Sequence, residues 1–241
     1  MNYYLKRYEK KFFINFNQEK KLKLKIKDTF KIDKNIKNRR GYHCISIYFD
    51  TLNLDLMNEK IEGLTNRKKI RVRTYLENLS QDPKKWNLEI KLKRNSSVYK
   101  KKKEISNDDL MNYLNNRNYN GLLRCFSDTQ DQIYIPTFTT CYYRQAYESE
   151  IFSNCRITID QQIICNKYSL NFQKIINQER KYSIDPRFKL LELKYNTFLP
   201  SYLSSIFRNL SLDQITFSKY ADGAETCLFN NVYKYFMIKK I

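Results

Sequence analysis

Apolar and charged residues alternate in four short stretches of the chain, at residues 70–73, 88–93, 156–160 and 191–194. Successive side chains of a β-strand point to opposite sides, so this pattern predicts strands with one buried face. The charged members are mostly basic, and Arg, Lys and Glu cost the most to desolvate. We therefore expect several of these strands to present their charged faces to one shared polyanion.

The rest of the pattern predicts more strands and a smaller number of helices. Residues 17–30 fit either, because lysines alternate with apolar residues while Leu22, Ile26 and Phe30 recur at helical spacing. The distance between the neighbouring strands favours a helix there. Asp50-Thr51 is typical of a cap-like turn into residues 51–59. Strands are predicted at 3–16, 43–50, 67–77, 86–94, 97–105, 137–150, 154–165 and 188–196, and helices at 106–126, 199–209 and 221–234.

Short turns join most neighbouring strands, which predicts a largely antiparallel sheet whose edges need closure or cover. The fold class expected is α+β: an antiparallel β-barrel tunnel of about eight strands, with a charged interior and flanking helices. Gly and Pro number four each, and no linker rich in Ser, Gly or Pro divides the chain. We therefore expect a single domain over residues 1–241.

The charge of the chain points to an anionic partner. There are 45 Lys and Arg against 25 Asp and Glu, a formal net charge of +20. Nucleic acid, phosphate compounds and a membrane surface are all compatible with it. Charge runs are usually solvated, which explains many single lysines but fits the Arg and Glu positions inside strands poorly. Nucleic acid ranks low, because aromatic residues are not interleaved with basic ones as stacking would require.

The six cysteines form no C-x-x-C pair and no Cys/His metal spacing, and several lie among apolar residues as reduced core cysteines do. Lysine, arginine and glutamate interrupt any apolar run at the N-terminus, so no signal peptide is expected. No apolar stretch approaches the about 18 residues that span a bilayer. These features predict a cytoplasmic, reduced protein without a transmembrane segment.

Two kinds of charged pair are candidates for phosphate chemistry. Arg71 and Arg73 share one strand face, about 6–7 Å apart, which suits two successive phosphates. Glu89-x-Lys91 and Glu192-x-Lys194 repeat one pattern on two strands. In each, the carboxylate could hold a divalent cation while the lysine contacts phosphate. Single pairs of either kind are also ordinary salt bridges or surface residues.

Further basic side chains extend this set. Tyr99 and Ile105 lie an even number of residues apart and are therefore expected on one face of the strand. Lys100 and Lys102 are then expected on the opposite, charged face, and Lys101 and Lys103 outside it. Tyr142, Arg144 and Arg156 add donors from the second half of the chain. Ser218-Lys219 lies at the start of a predicted helix, where backbone N–H groups favour anions. The sequence has no phosphate-loop, dinucleotide or kinase motif, and its single histidine, His43, is better explained as structural.

Charged and aromatic motifs follow one another along the whole chain. They are Arg7-x-Glu9-x-Lys11, Ser46-x-Tyr48-Phe49-Asp50-Thr51, Lys69-x-Arg71-x-Arg73, Glu89-x-Lys91, Tyr142-x-Arg144, Arg156-x-Thr158-x-Asp160, Glu192-x-Lys194 and Ser218-Lys219-Tyr220. In this order, the motifs resemble those of VTC domains, the polyphosphate polymerases among the triphosphate tunnel metalloenzymes. The resemblance runs from about residue 4 to 223 and depends on the number and order of motifs rather than on any one.

This resemblance implies an enzyme that moves the terminal phosphoryl group of ATP to a growing polyphosphate chain. It also implies a divalent cation, Mn²⁺ before Mg²⁺, with Glu192 as leading ligand and Glu89 as a second metal candidate. The residues implied in phosphate handling are Lys11, Arg71, Arg73, Lys91, Arg144, Arg156 and Lys219. Substrate contacts are expected from Glu9, Lys100, Lys102, Tyr142, Lys194 and Ser218.

One departure from the wider superfamily bears on the reaction. Hydrolytic relatives begin with E-x-E-x-K, whereas the first position here is Arg7. The loss of that carboxylate favours phosphate transfer over hydrolysis. The alternatives are a tri- or polyphosphatase of the same superfamily and a non-catalytic module that binds polyphosphate or inositol phosphates. The sequence leaves open a membrane-protein partner, the metal preference and the oligomeric state.

Overall fold

The protein is described by a computed structural model over residues 7–34, 36, 40–95, 97–169, 181–196 and 198–229. These residues form nine β-strands and six α-helices. The strands are β1 (Arg7–Ile14), β2 (Phe30–Ile32), β3 (Tyr42–Asp50), β4 (Arg67–Leu76), β5 (Lys85–Arg94), β6 (Ser97–Ser106), β7 (Ile135–Ser149), β8 (Arg156–Lys167) and β9 (Lys189–Asn196). The helices are α1 (Phe16–Ile26), α2 (Asp55–Ile61), α3 (Asn107–Asn115), α4 (Tyr119–Leu123), α5 (Ser201–Asn209) and α6 (Ala221–Leu228).

The chain divides into two compact units. Unit 1 comprises residues 1–42, 142–163 and 184–217, and unit 2 comprises residues 43–141, 164–183 and 218–241. Strands β7 and β8 each contribute residues to both units. The sheet order is β1-β9-β8-β7 in unit 1, with β2 also on β7, and β7-β3-β4-β5-β6 in unit 2.

The prediction of an α+β fold built on a large antiparallel sheet with helices is confirmed. The pairs β1–β9, β2–β7, β3–β4, β4–β5, β5–β6 and β8–β9 are all antiparallel. The sheet has nine strands, and its order ends at β1 and β6. Within the described ranges the hydrogen-bonded ladder is therefore not closed. The single-domain expectation stays a prediction.

Each unit has its own apolar core. In unit 1, Phe12 on β1, Ile157 and Ile159 on β8, and Leu191 and Leu193 on β9 pack with apolar residues of α1 and α5. The alternation that predicted strands thus places the apolar members of β8 and β9 on one face. The charged members of the same strands lie on the opposite face.

The core of unit 2 follows the same rule on β4 and β5. Ile70 and Val72 pack with Leu88 and Ile90, and Trp86 is fully buried beside them. Helices α2, α3, α4 and α6 supply further apolar side chains to this core. The charged residues between these positions, including Arg71 and Glu89, again share the other face of the strands.

Most predicted elements are confirmed, with differences in extent. Within the segment 17–30, helix α1 ends at Ile26, and Phe30 already belongs to the short strand β2, which was not predicted. Helix α1 begins at a capping box in which the side chain of Asn15 accepts from the backbone of Gln18 and the side chain of Gln18 accepts in return. The helix predicted at 106–126 is wrong as one element, since α3 ends at Asn115 and Arg117 has φ of 53°. The side chain of Asn118 then caps α4. The first predicted strand ends earlier than residue 16, since β1 ends at Ile14. Residues 3–6 and 230–234, also covered by predicted elements, lie outside the described residues.

No helix in the described part of the chain is long and apolar enough to cross a membrane.

Candidate functional site

Unit 1 brings charged side chains of β1, β8 and β9 into register. Lys11 is paired with Glu192, and Glu9 with Lys194. On the other side of β9, Thr158 is paired with Glu192 and Arg156 with Lys194. Side chains at paired positions of antiparallel strands lie on the same face, so these residues form one polar surface.

Glu192 is the centre of this surface. Its carboxylate lies 3.4 Å from Lys194 Nζ, 3.5 Å from Arg144 Nη2 and 4.0 Å from Lys11 Nζ. Lys11 Nζ also lies 3.0 Å from Glu9 and donates to the carbonyl oxygen of Phe217 at 2.7 Å. We call this set the Glu192 cluster; its members are Glu9, Lys11, Arg144, Asp160, Glu192 and Lys194.

Arg144 is held in a fixed orientation by Asp160. Its Nε and Nη2 atoms donate to the two carboxylate oxygens of Asp160 at 2.6 and 2.7 Å. Both side chains are buried, and the guanidinium lies 5.2 Å from the ring centroid of Tyr142. Two parallel charge-assisted hydrogen bonds fix the guanidinium, and its Nη2 atom also lies 3.5 Å from Glu192.

Arg156 has a carboxylate partner of its own. Its Nη2 forms an ion pair with the fully buried carboxylate of Asp33, and its Nη1 lies 3.9 Å from Glu148. Asp33 follows β2 directly, and its backbone N–H donates to the carbonyl of Ala146 on β7. The guanidinium of Arg156 is therefore oriented by a residue that the local backbone holds in place.

The positive side chains of the Glu192 cluster control the ionisation of Glu9. Burial opposes ionisation of this carboxyl, but the charges of Lys11 and Lys194 outweigh burial and hold its pKa below the ordinary value. The charge of Glu192 opposes this effect in part. Glu9 is thus a carboxylate at neutral pH, as a ligand for a cation must be.

A second set of charged residues lies on β4, β5 and β6 of unit 2. Register pairs Arg71 with Glu89 and Glu89 with Lys102, while Lys91 is paired with both Lys69 and Lys100. This places Lys100 and Lys102 on the face of Glu89 and Lys91, as parity predicted. Lys101 and Lys103 are paired with the core residues Ile90 and Leu88, on the opposite parity.

Glu89 is hydrogen-bonded on both carboxylate oxygens. Arg71 Nε and Nη2 donate to Oε2 at 2.8 and 2.6 Å, and Lys100 Nζ donates to Oε1 at 2.7 Å. Arg71 Nη1 lies 3.4 Å from the hydroxyl oxygen of Tyr48. We call Tyr48, Arg71, Glu89 and Lys100 the Glu89 cluster.

Electrostatics in the Glu89 cluster are dominated by its cations. Burial opposes ionisation of Glu89, but the charge of Arg71 and the hydrogen bond from Lys100 lower its pKa to about 2. Burial also opposes ionisation of Tyr48, yet the charges of Arg71 and Arg73 bring the pKa of this phenol below its ordinary value. Lys219 adds to the same effect. The potential at Tyr48 is therefore positive enough to favour an anion.

The other predicted residues of unit 2 differ in exposure. Arg73 is buried, and its Nε donates to Ser46 Oγ at 2.8 Å. Lys91 and Lys102 are exposed, whereas Lys219 is nearly buried. An exposed ammonium remains solvated, so Arg73 and Lys219 have the stronger interactions with any anion that reaches them.

Ser218 lies three residues before Ala221, the first residue of α6. Its hydroxyl accepts from Lys69 Nζ at 3.0 Å and from the backbone N–H of Ala221 at 3.3 Å. Its own backbone N–H donates to Asp222 at 2.6 Å. Lys69 Nζ also lies 5.1 Å from the ring centroid of Tyr220. The hydroxyl and the backbone N–H of Ser218, which were expected to contact an anion, thus already interact with Lys69 and Asp222.

The carboxylates of unit 1 fit a hard divalent cation. Glu9 and Glu192 both face Lys11 Nζ, so a positive charge already lies between two oxygen donors. Mg²⁺ is commonly bound by one or two carboxylates, with water and substrate phosphates as the other ligands. No group of three or more His, Cys, Asp or Glu side chains suited to a metal occurs in the described ranges. The residues present therefore fit a metal that completes its coordination with phosphate and water oxygens.

Sequence reasoning missed the acceptors that orient the arginines. Asp160 and Ser46 occur in the motifs, but no role was predicted for either. The alternation of side chains nevertheless places Asp160 on the same face of β8 as Arg156. Asp33 lies at no position of an alternating pattern, and its pairing with Arg156 is visible only in the structure. The side chain of Arg7, the departure from the hydrolytic pattern, lies outside the described part of the chain.

Comparison with known proteins supports the resemblance inferred from the motifs. A family model for the VTC domain matches residues 6–228. No curated protein matches the chain.

Among solved structures, the chain is similar to a protein from Vibrio parahaemolyticus assigned as an adenylate cyclase. Sequence identity is 12%, the TM-score is 0.50, and the match covers 90% of this chain and 97% of that one. A Mimivirus capping enzyme triphosphatase matches with 16% identity, 86% and 88% coverage and a TM-score of 0.36. The first likeness supports the fold alone, and the second supports no conclusion.

Proposed function

The chain belongs to the VTC domain family, and from this we propose that it is a polyphosphate polymerase. It would transfer the terminal phosphoryl group of ATP to a growing chain of inorganic polyphosphate. The observation that carries the proposal is the Glu192 cluster, in which three cations surround one glutamate on the strand face where the family motifs lie. ATP and polyphosphate are the proposed partners, and the proposed location is cytoplasmic.

Phosphoryl transfer depends mainly on in-line positioning and on neutralising charge over the transferred group. In unit 1, Lys11, Arg144, Arg156 and Lys194 would bind phosphate oxygens. Asp160 and Asp33 hold the two guanidinium groups in place before substrate arrives. Donors that are already oriented lose little free energy on reorganising when the substrate binds.

Glu192 and Glu9 would hold the divalent cation in this proposal. When bound, the cation supplies Lewis-acid charge that offsets the negative charge of the phosphates. The contacts of Glu192 with its cations are 3.4–4.0 Å long, whereas Glu89 accepts hydrogen bonds of 2.6–2.8 Å on both oxygens. We therefore propose Glu192 as the leading ligand and give Glu89 a positioning role for Arg71 and Lys100.

In unit 2, the arginines of β4 would bind further phosphates. Arg71 and Arg73 are separated by one residue on one face and are each oriented by an acceptor, Glu89 and Ser46 respectively. Lys91, Lys100, Lys102, Ser218 and Lys219 would add contacts to the phosphate chain. A single guanidinium can bind two oxygens of one phosphate, which ammonium groups do less specifically.

Incubation of the purified protein with ATP and Mn²⁺ tests this proposal. We expect acid-labile phosphate chains, resolved by gel electrophoresis, together with stoichiometric ADP. Arg7 in place of the first glutamate of hydrolytic relatives supports this outcome over hydrolysis. Formation of free phosphate and ADP alone would instead identify a tri- or polyphosphatase.

Glu192→Gln separates an enzyme from a binding module. We expect this variant to lose most turnover while retaining binding of polyphosphate. The matched control is Glu104→Gln, which removes an exposed glutamate that forms an ion pair with Lys85 on β5. If the wild type binds polyphosphate but shows no turnover with Mn²⁺, Mg²⁺ or Co²⁺, the protein is a non-catalytic phosphate-binding module. Stronger, salt-sensitive binding of RNA than of polyphosphate would contradict both.

A further inference from the structure

Thr158 carries a buried hydroxyl group without a hydrogen-bond partner. The residue is 1% exposed, and its Oγ contacts no donor or acceptor within hydrogen-bonding geometry. Buried polar groups in folded proteins are nearly always paired, because an unpaired hydroxyl has lost its hydration without compensation. Such a group in a native fold therefore requires an explanation, and a missing ligand is one.

Among the described residues, Thr140 on β7 also has a buried, unpaired Oγ, but other buried threonines do not share this property. Thr74 Oγ donates to the carbonyl oxygen of Lys85 at 2.8 Å, and Thr226 Oγ donates to that of Asp222 at 2.7 Å. Each uses a nearby backbone carbonyl, the partner that strands and helices commonly offer to hydroxyl groups. Thr158 also lies in a strand, yet it has no such partner.

The position of Thr158 places its hydroxyl beside the Glu192 cluster. Ile157 and Ile159 on the same strand point into the core of unit 1, so Thr158 lies on the opposite face with Arg156 and Asp160. Thr158 is the direct cross-strand partner of Glu192. Paired Cβ atoms in antiparallel strands are about 4.5–5.5 Å apart, which is within reach of one shared ligand.

The carboxylates beside Thr158 are already engaged with cations. Asp160 accepts two hydrogen bonds from Arg144, and Glu192 lies near Arg144, Lys194 and Lys11. A ligand at this face meets three cations, Lys11, Arg144 and Lys194, each of which already faces a carboxylate, and one hydroxyl that can donate. An anion with several acceptor oxygens satisfies both conditions, and a phosphate group has this chemistry.

We infer that Thr158 Oγ donates a hydrogen bond to a phosphate oxygen of a triphosphate group bound beside Glu192. This rests on the proposed function for the class of ligand, but it assigns a contact to a residue for which the motifs imply no role. Thr158 would act as a ligand-binding residue, and its hydroxyl would be paired only in the bound state. The unbound protein retains an unpaired hydroxyl as a consequence.

Three variants at this site test the inference. Thr158→Val keeps the shape of the side chain and removes the hydroxyl, Thr158→Ser keeps the hydroxyl, and Thr158→Ala also removes it. The matched control is Thr74→Val, which removes a buried hydroxyl that is already paired within the protein. Calorimetric titration with inorganic triphosphate, without metal, measures affinity, and thermal unfolding of the unbound protein measures stability.

We expect Thr158→Val to weaken triphosphate binding about tenfold to a hundredfold, because it loses a hydrogen bond to a charged group. Its midpoint of thermal unfolding should equal or exceed that of the wild type, since it removes an unpaired buried hydroxyl. Thr158→Ser should bind almost as the wild type does. Thr74→Val should show the reverse, a lower unfolding midpoint with unchanged affinity. Thr158→Ala should show the same loss of triphosphate affinity as Thr158→Val, and it replaces that variant in the test if Thr158→Val does not fold.

The outcomes separate this inference from the proposed function. The inference would be overturned if Thr158→Val bound triphosphate as tightly as the wild type does. It would also be overturned if Thr158→Ser lost as much affinity as Thr158→Val. Neither result would affect the proposal of polyphosphate synthesis. Loss of affinity in Thr158→Val in a protein that makes no polyphosphate would support the inference and count against the polymerase. A wild type that binds no triphosphate would overturn both.

Discussion

At the scale of single residues, the site is built from arginines that are each held by an acceptor. A guanidinium on a flexible side chain loses rotamer freedom when it binds phosphate, and a fixed partner removes that loss in advance. The acceptors also reduce the local excess of positive charge. The pairs are Arg71 with Glu89, Arg73 with Ser46, Arg144 with Asp160, and Arg156 with Asp33.

Glu89→Gln is expected to change the acid sensitivity of folding. The pKa of Glu89 falls from 4.5 to about 2 in the folded protein, so its ionised form contributes stability above pH 4.5. That contribution is lost as pH falls through the folded pKa of about 2. The difference in unfolding free energy between wild type and variant should be on the order of 3 kcal/mol at pH 6 and shrink steadily below pH 4.5.

Urea unfolding of both proteins at pH 6, 4, 3 and 2.5 measures this difference. Glu104→Gln on β6 is the control, because its exposed ion pair with Lys85 should contribute little at any pH. Parallel stability curves for wild type and Glu89→Gln across this range would show that Arg71 and Lys100 do not stabilise the charged form of Glu89.

At the scale of secondary-structure elements, strand β7 carries Tyr142 and Arg144 and is fixed by a close backbone contact. Gly41 has φ of +147°, and a Cβ atom there would lie 2.5 Å from the carbonyl oxygen of Arg144 and 2.8 Å from the ring of Tyr143. Only glycine lets the backbone pass this close to β7. The orientation of Arg144 therefore depends on a residue outside the charged motifs.

Gly41→Ala should destabilise the protein more than Gly63→Ala does. Gly63 also has positive φ, +75°, but nothing lies within 4 Å of a Cβ atom added there. The control should therefore cost about 1–2 kcal/mol for backbone strain alone. The clash with β7 should add about 1–3 kcal/mol at Gly41, measured by urea unfolding. Equal losses for the two variants would mean that β7 yields without cost at this contact.

At the scale of the whole molecule, two units with separate apolar cores share strands β7 and β8. A strand cannot lose its pairing in one half without loosening the backbone that continues into the other. The net charge of +20 acts on the chain as a whole, since most of its 45 lysines and arginines lie outside the two clusters. These charges favour the encounter with a polyanion, and the smaller number of oriented lysines and arginines in the two clusters would bind it.

The single-domain expectation predicts one cooperative unfolding transition. Trp86 is the only tryptophan, is fully buried and belongs to unit 2, so its fluorescence reports on that unit. Far-ultraviolet circular dichroism reports on the strands and helices of both units. We expect the two probes to give the same urea midpoint and slope. Separate transitions would show that the units unfold independently, as two domains.

The order of amino acids alone predicts the strands, the faces their residues share and the family. Side-chain alternation is a property of the extended backbone, so Arg71, Arg73, Glu192 and Lys194 could be placed on charged faces without a structure. The capping box at Asn15 and Gln18 is similarly local and could have settled α1. The break between α3 and α4 was missed, because one left-handed residue, Arg117, ends the helical pattern.

Only the tertiary structure decides which charged residues meet. Asp33 and Arg156 are far apart in sequence, as are Arg144 and Glu192, and no periodic pattern links either pair. Strand register and the paths of the connecting segments bring these residues together, and burial then determines how strongly each pair interacts. The unpaired hydroxyl of Thr158 is likewise visible only in the tertiary structure, because the positions of all its neighbours show that it has no hydrogen-bond partner.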